Sequence, residues 1–373
     1  MAFADPGHGT TIHGNRTLRM MMLIRRWTFP LVAAIAFGQE VGPFPPEAPD
    51  SWKPAWEWTL RGDQLSDPGY APASFRRAGL QLRLRWTWDF EAVRLVAGTR
   101  SAMGSDGNRF NAPRWDQQPS NGTQADVARA EVSWVRERAF GTLSLGFQEN
   151  GLMTSQALWD RDLRFLGAGG TAGFRGTEGL LQEAGVRVAA GRVRTPLGGQ
   201  VDLAAGQAVL KLDTGPWSWA AHAGRWALTW DPGAVRLRPL PGHSVLERQR
   251  LVVDAGGASA TWNTVFPWSI RWFQARNPET RETSEEVQIT AGSRERVYWP
   301  QLSFTWQRLS STGTLYPVNG DEWWFYRRAR GPRLDASLPL PGRWIASVVY
   351  LRQRADGDEY PVTRKMLVLM KRF

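Results

Sequence analysis

Leu80-Gln81-Leu82-Arg83-Leu84-Arg85-Trp86-Thr87-Trp88 is the stretch on which the fold of this chain turns. Its even positions are Leu, Leu, Leu, Trp and Trp, and its odd positions are Gln, Arg, Arg and Thr. Successive side chains of a β-strand leave on opposite faces, so one face here is wholly apolar and the other wholly polar. After Asp89-Phe90-Glu91 the chain returns with Val93 and Leu95 flanking Arg94, which predicts a hairpin with a short turn.

The alternation recurs. Ala128, Ala130, Val132 and Trp134 oppose Arg129, Glu131 and Ser133. Leu143, Leu145 and Phe147 oppose Thr142, Ser144 and Gln148, and Trp217 and Trp219 flank Ser218. Trp226, Leu228 and Trp230 alternate with Arg225, Thr229 and Asp231, which puts the tryptophans on the apolar face and Asp231 on the polar one. Trp268, Ile270 and Trp272 flank Ser269 and Arg271; Leu302, Phe304 and Trp306 flank Ser303 and Thr305. Parity shifts near Gly191 and Gly206 are expected to be bulges that re-aim the faces. Residues 343–351 and 365–370 are apolar on both parities, so their facing stays open.

A soluble β-sandwich also alternates, with its apolar face inward. Three features favour the inverse, apolar outward to lipid and polar inward to water. The polar faces carry long charged side chains such as Arg83, Arg85 and Arg129, which a water-filled lumen accommodates. Trp gathers near strand ends, where interfacial girdles need it. The amino-terminal region also has the layout of an export signal. Lipid offers no partner to backbone groups, so strands can cross it only as a closed ring. The expectation is an all-β transmembrane antiparallel barrel; a secreted, Trp-rich sandwich that binds glycans is the alternative.

Composition narrows the function. The 373 residues include no Cys and four His, so thiolate metal sites, disulfides and iron–sulfur clusters are excluded. The net charge is +11, and all but four of the 46 basic residues are Arg. They stand singly among apolar residues rather than in runs, which argues against nucleic acid as a partner. Arg25 and Arg26 precede the apolar run Trp27–Phe37, and Ala36-Phe37-Gly38 fits a small-x-small cleavage site. Residues 1–38 are therefore expected to be a signal peptide, with 1–19 as an over-long start. A Pro-rich segment over 39–53 follows, and then a barrel over 54–373. At roughly 20 residues per strand with its connections, that length gives about 16 strands. A pass along the chain finds eighteen candidates, including 234–253, 256–263, 322–330 and 333–339, so the range is 14–18. Long loops are expected near 101–124, 149–160, 277–284 and 309–321.

Three segments carry a resemblance: LQLRLRWTWDF over 80–90, TLSLGFQ over 142–148, and Leu158-Trp-Asp-Arg-Asp-Leu-Arg-Phe-Leu-Gly-Ala168. From Leu80 to about Gly176, roughly a quarter of the chain, the sequence resembles outer-membrane porins of Gram-negative bacteria, including the alginate-export type. The resemblance implies a passive, solute-conducting barrel of the outer membrane, often with an Arg-lined lumen, and fixes no substrate. The closing strand, ending on Phe373, resembles the signal read by the barrel-assembly machinery, although Lys371 stands where an apolar residue is usual.

Catalysis finds no support in the motifs. His222 and His243 have no Ser nearby in a recognisable arrangement, and Gly167–Gly173 lacks the Lys-Ser/Thr ending of a phosphate loop. Asp160-Arg161-Asp162 reads as a local charge network rather than a calcium site. The expectation is a channel that is not an enzyme and holds no cofactor or metal. Its candidate pore-lining residues are Arg83, Arg85, Arg94, Arg129, Glu131, Arg187 and Arg271. Each Arg either pairs with a carboxylate such as Glu131 or adds to a positive lumen that favours small anions. Expected partners are outer-membrane lipid, the assembly machinery and small anionic solutes. A homo-oligomer and a plugged structural barrel both stay open.

Overall fold

The computed structural model describes residues 53–66, 68, 75–104, 122–160, 163–176, 180–195, 199–231, 250–294, 296–318 and 327–373. The expected signal peptide and nearly all of the Pro-rich segment lie outside these, as does most of the loop expected over 101–124.

Every strand is antiparallel to its chain neighbours, and the ring closes where the first strand pairs with the last, Leu60 opposite Leu369. In order the strands are β1 (Lys53–Ser66), β2 (Phe75–Phe90), β3 (Val93–Gly104), β4 (Gly122–Arg136), β5 (Ala139–Glu149) and β6 (Arg164–Arg175). They continue as β7 (Leu181–Arg194), β8 (Gln200–Asp213), β9 (Trp217–Thr229), β10 (Arg250–Trp262) and β11 (Trp268–Arg276). The last are β12 (Thr283–Gly292), β13 (Gln301–Leu309), β14 (Ala329–Leu340), β15 (Trp344–Ala355) and β16 (Val362–Arg372). The barrel has sixteen strands because four of the eighteen candidates fuse in pairs. The end of the candidate at 234–253 continues into that at 256–263 as β10, and the end of that at 322–330 continues into 333–339 as β14; residues 234–249 and 322–326 lie outside the described residues. A closed ring also removes the glycan-binding sandwich, which would need two open sheets.

One end of the barrel carries the tight turns. Glu91 and Glu137 turn there with positive φ of 39° and 52°, and Pro341–Arg343 links β14 to β15. Long connections sit at the opposite end. The exterior exposes Leu80, Leu82, Leu95, Leu143, Ile270, Phe304, Leu334 and Leu367 to the surroundings, an apolar surface that lipid solvates and water does not. Tryptophans edge this band at the tight-turn end. Trp217 stacks on Trp262 at 5.8 Å, and Trp58 meets Trp344 edge-on at 4.6 Å. Phe373 packs on Trp56 at 4.7 Å, and Lys371 lies over both Trp344 and Phe373, so the odd cation of the closing strand is held at the aromatic girdle.

Two expectations about facing are corrected. Register runs unbroken through Gly191 and Gly206, with no bulge at either. Gly191 instead sits directly opposite Gly167, where an added Cβ would come within 2.4 Å of the Leu166 carbonyl oxygen. The glycines there serve close backbone approach. The second correction is larger. Parity does not change along β9, so Trp219 faces out while Trp226 and Leu228 face in and are fully buried. Arg225 consequently points outward, paired with Asp254 of β10 at 2.6 Å. The reason is that this half of the interior is filled by protein rather than by water.

Candidate functional site: a constricted lumen

Residues 150–160, which follow β5, fold into the barrel. Leu158 and Trp159 nitrogens both donate to the Ser155 carbonyl, at 3.1 and 2.9 Å, which curls the segment into one turn. Met153 is clamped to the wall by Gln207 of β8: its N–H donates to Gln207 Oε1 at 2.8 Å, and its carbonyl accepts from Gln207 Nε2 at 2.7 Å. A second inward segment, 310–318, meets the first. Asp160 N–H donates to the Val318 carbonyl at 2.7 Å, and the Thr314 hydroxyl donates to the Ala157 carbonyl. Trp159 packs against Trp226 at 6.0 Å, and Tyr316 meets Trp230 edge-on at 6.3 Å. The result is a hydrophobic core inside the barrel, built from both segments and the inner faces of β7 to β11.

Around this core the inner wall is polar. All the candidate pore-lining residues stand on inward parity. Arg83 and Arg85 alternate with outward Leu82 and Leu84, and Arg83 lies opposite Glu57 of β1 and Arg100 of β3. Arg85 donates to Glu149 at 2.6 Å and to Asp126 at 3.4 Å. Asp126 occupies a register irregularity between β3 and β4, which turns it inward beside Val127, and Arg164 reaches the same carboxylate at 3.3 Å. Arg129 pairs with Glu131 at 3.4 Å. Arg94 pairs with Asp89 at 2.5 Å, at the tight-turn rim rather than in the constriction. Arg187 and Lys211 share Glu183, at 2.9 and 2.6 Å, and Arg271 reaches Glu286 at 2.9 Å.

Sequence reasoning counted the acids of the inner face short. It expected Glu131 and Asp231; Asp231 instead lies exposed just beyond β9. The inward carboxylates include Asp63, Asp126, Glu149, Glu183, Glu286 and Asp335. Arg100, Arg164, Lys211 and Arg333 were also missed. Several of these stand at strand ends or at the β4 irregularity, where alternation gives no cue.

Beneath the first inward segment lies a cavity of about 320 Å³ lined by Asn150, Met153, Trp159, His222, Ser259 and Arg271. Neither ring nitrogen of His222 has a hydrogen-bond partner among the described residues, and Phe273 lies 6.0 Å from the ring. The site therefore combines a guanidinium, an imidazole and aromatic surface.

No protein-family profile matches this sequence, and no curated protein is similar to it in sequence. Solved structures are similar in fold. OprB of Pseudomonas putida superposes with a TM-score of 0.61 at 9% identity, covering 87% of this chain and 94% of that one. OmpF of Salmonella typhi, solved in complex with daunomycin, gives 0.53 at 9% identity, covering 86% and 97%. With its closed ring, its apolar exterior and its charged interior, the chain has the fold of the Gram-negative outer-membrane porins.

Proposed function

We propose that the protein is a passive diffusion channel for small hydrophilic solutes, with a preference for anions. One observation carries the preference: at three places on the inner wall a cation faces the passage while its carboxylate is withdrawn behind it, whereas in the pair Arg333 and Asp335 the acid is the more exposed. The Arg85 side chain is 38% exposed against 2% for Asp126, Arg271 is 38% against 2% for Glu286, and Lys211 is 37% against 13% for Glu183. A solute therefore meets positive ends first, in a narrow space where low-dielectric walls focus the field. Glu149, as exposed as Arg85, tempers this on one side of the lumen. Export through a signal peptide over 1–38 and folding by the barrel-assembly machinery through the strand ending at Phe373 complete the proposal.

Reversal potentials in planar bilayers under a KCl gradient test it. The wild type is expected to prefer chloride, less so as salt rises and the Debye length falls from about 10 Å at 0.1 M. Replacing Arg85, Lys211 and Arg271 together with Gln should move the reversal potential toward zero. A wild-type channel that prefers potassium overturns the anion reading, and one that carries no current makes the molecule a plugged structural barrel.

A further inference from the structure

The exterior of the barrel is not uniformly apolar. At the long-loop end, Arg308 of β13 lies directly opposite Arg330 of β14, and Arg330 directly opposite Arg354 of β15. All three share outward parity with Leu334 and Val348, and all three are exposed. Arg352 stands one outward position below Arg354 and is exposed as well. Residues directly opposed across antiparallel strands hold their Cβ atoms about 4.5–5.5 Å apart, and like charges so placed repel. Two other exterior cations on this rim have acids, Arg225 with Asp254 and Arg192 with Asp202, whereas the three arginines are set directly against one another. Among the described residues the three arginines form no ion pair with a carboxylate, and Arg354 Nε donates only to the Asp358 carbonyl, at 2.8 Å. Glu285 of β12 lies directly opposite Arg308 at one end of the row, one carboxylate beside three guanidiniums, so Arg330 and Arg354 at the middle and far end are left for an anion from outside the chain.

Its height identifies the anion. Strands rise about 3.3 Å per residue and tilt 35–45°, so Arg354 stands about 25 Å above Trp344 of the opposite girdle, the thickness of a barrel's apolar band. The arginines thus lie at headgroup level of the leaflet on the long-loop side. Directly below them are Trp306, Tyr350, Leu334 and Val348, an aromatic and aliphatic surface suited to acyl chains. We propose that the β13–β15 exterior is a binding surface for a phosphate-bearing lipid of the outward-facing leaflet, its phosphates on Arg308, Arg330 and Arg354 and its acyl chains on the apolar residues below. The lumen and its solutes play no part in this surface.

The test uses the full chain in detergent, titrated with bisphosphorylated lipid A, with the same lipid dephosphorylated, and with inorganic phosphate. The readout is the temperature at which the folded, fast-migrating band is lost. Bisphosphorylated lipid A should raise that temperature while the other two leave it nearly unchanged. The triple variant R308Q/R330Q/R354Q should need about tenfold more lipid or beyond for the same shift. The triple Arg→Lys variant should keep most of it, and both variants should conduct like the wild type, which certifies the fold. An undiminished response in the Gln variant overturns the proposal. So does an equal response to dephosphorylated lipid, which reduces the surface to an apolar one, or to inorganic phosphate, which makes it a free-anion site. Loss of an oligomer in the Gln variant with an unchanged lipid response would reassign the row to contact between copies.

Discussion

Neighbouring residues of β2 live in different solvents, and single substitutions there should behave accordingly. Leu82 faces lipid and Arg83 faces the lumen, one residue apart. Leu82→Arg places a charge among acyl chains and should cost about 2–4 kcal/mol near the midplane. Arg83→Gln keeps a polar group where one already stands and should cost clearly less. Urea titrations of the two variants in lipid vesicles measure the difference, and equal costs would contradict the assigned faces. The same logic governs Trp226, which reads in sequence as an exterior girdle residue yet is fully buried inside against Trp159. Trp226→Ala should destabilise the fold by about 3–5 kcal/mol, a core-type loss, where truncating a girdle tryptophan such as Trp219 should cost far less.

At the scale of the element, the strands were legible and the inward segments were not. Alternation over 80–88, 142–148 and 268–272 assigns strand, face and membrane solvent together, because lipid on one side and water on the other impose a strict period of two. That rule fails where protein replaces water. Along the long-loop half of β9 and β10, Trp226, Leu228, Leu251 and Val253 are apolar and yet inward, since residues 150–160 and 310–318 cover them. Nothing in the period of a strand reveals that a distant loop will fold back on it. The charged inner wall was half legible: alternation exposed its arginines, while Asp126 at the β4 irregularity and Glu149 at the end of β5 had no partner in the pattern. The clamp between Met153 and Gln207 gives the inward segment its own test. Gln207→Ala should release the segment and raise single-channel conductance and its noise, with little change in the heat-modifiable gel band; an unchanged conductance would detach this segment from the constriction.

For the molecule as a whole, closure is what confers resistance, since every strand bonds two neighbours and no edge is left for denaturant to pry open. The chain should therefore fractionate with outer membranes and migrate faster unheated than boiled in detergent gels, and recovery in a soluble fraction without detergent would contradict the fold. The meeting of residues 150–160 with 310–318 has a consequence for how such a molecule comes into being. The hydrogen bonds from Asp160 to Val318 and from Thr314 to Ala157 join segments more than 150 residues apart, across the inside of the ring. Their partners come from the β5–β6 and β13–β14 sides of the wall, so the expected order is wall first and interior second, with a brief wide leak while the ring is closed and the segments are not yet docked. Dye release from vesicles during refolding should start fast and then slow as the segments dock, and in Trp226→Ala, where the docking surface is pared away, the leak should last longer.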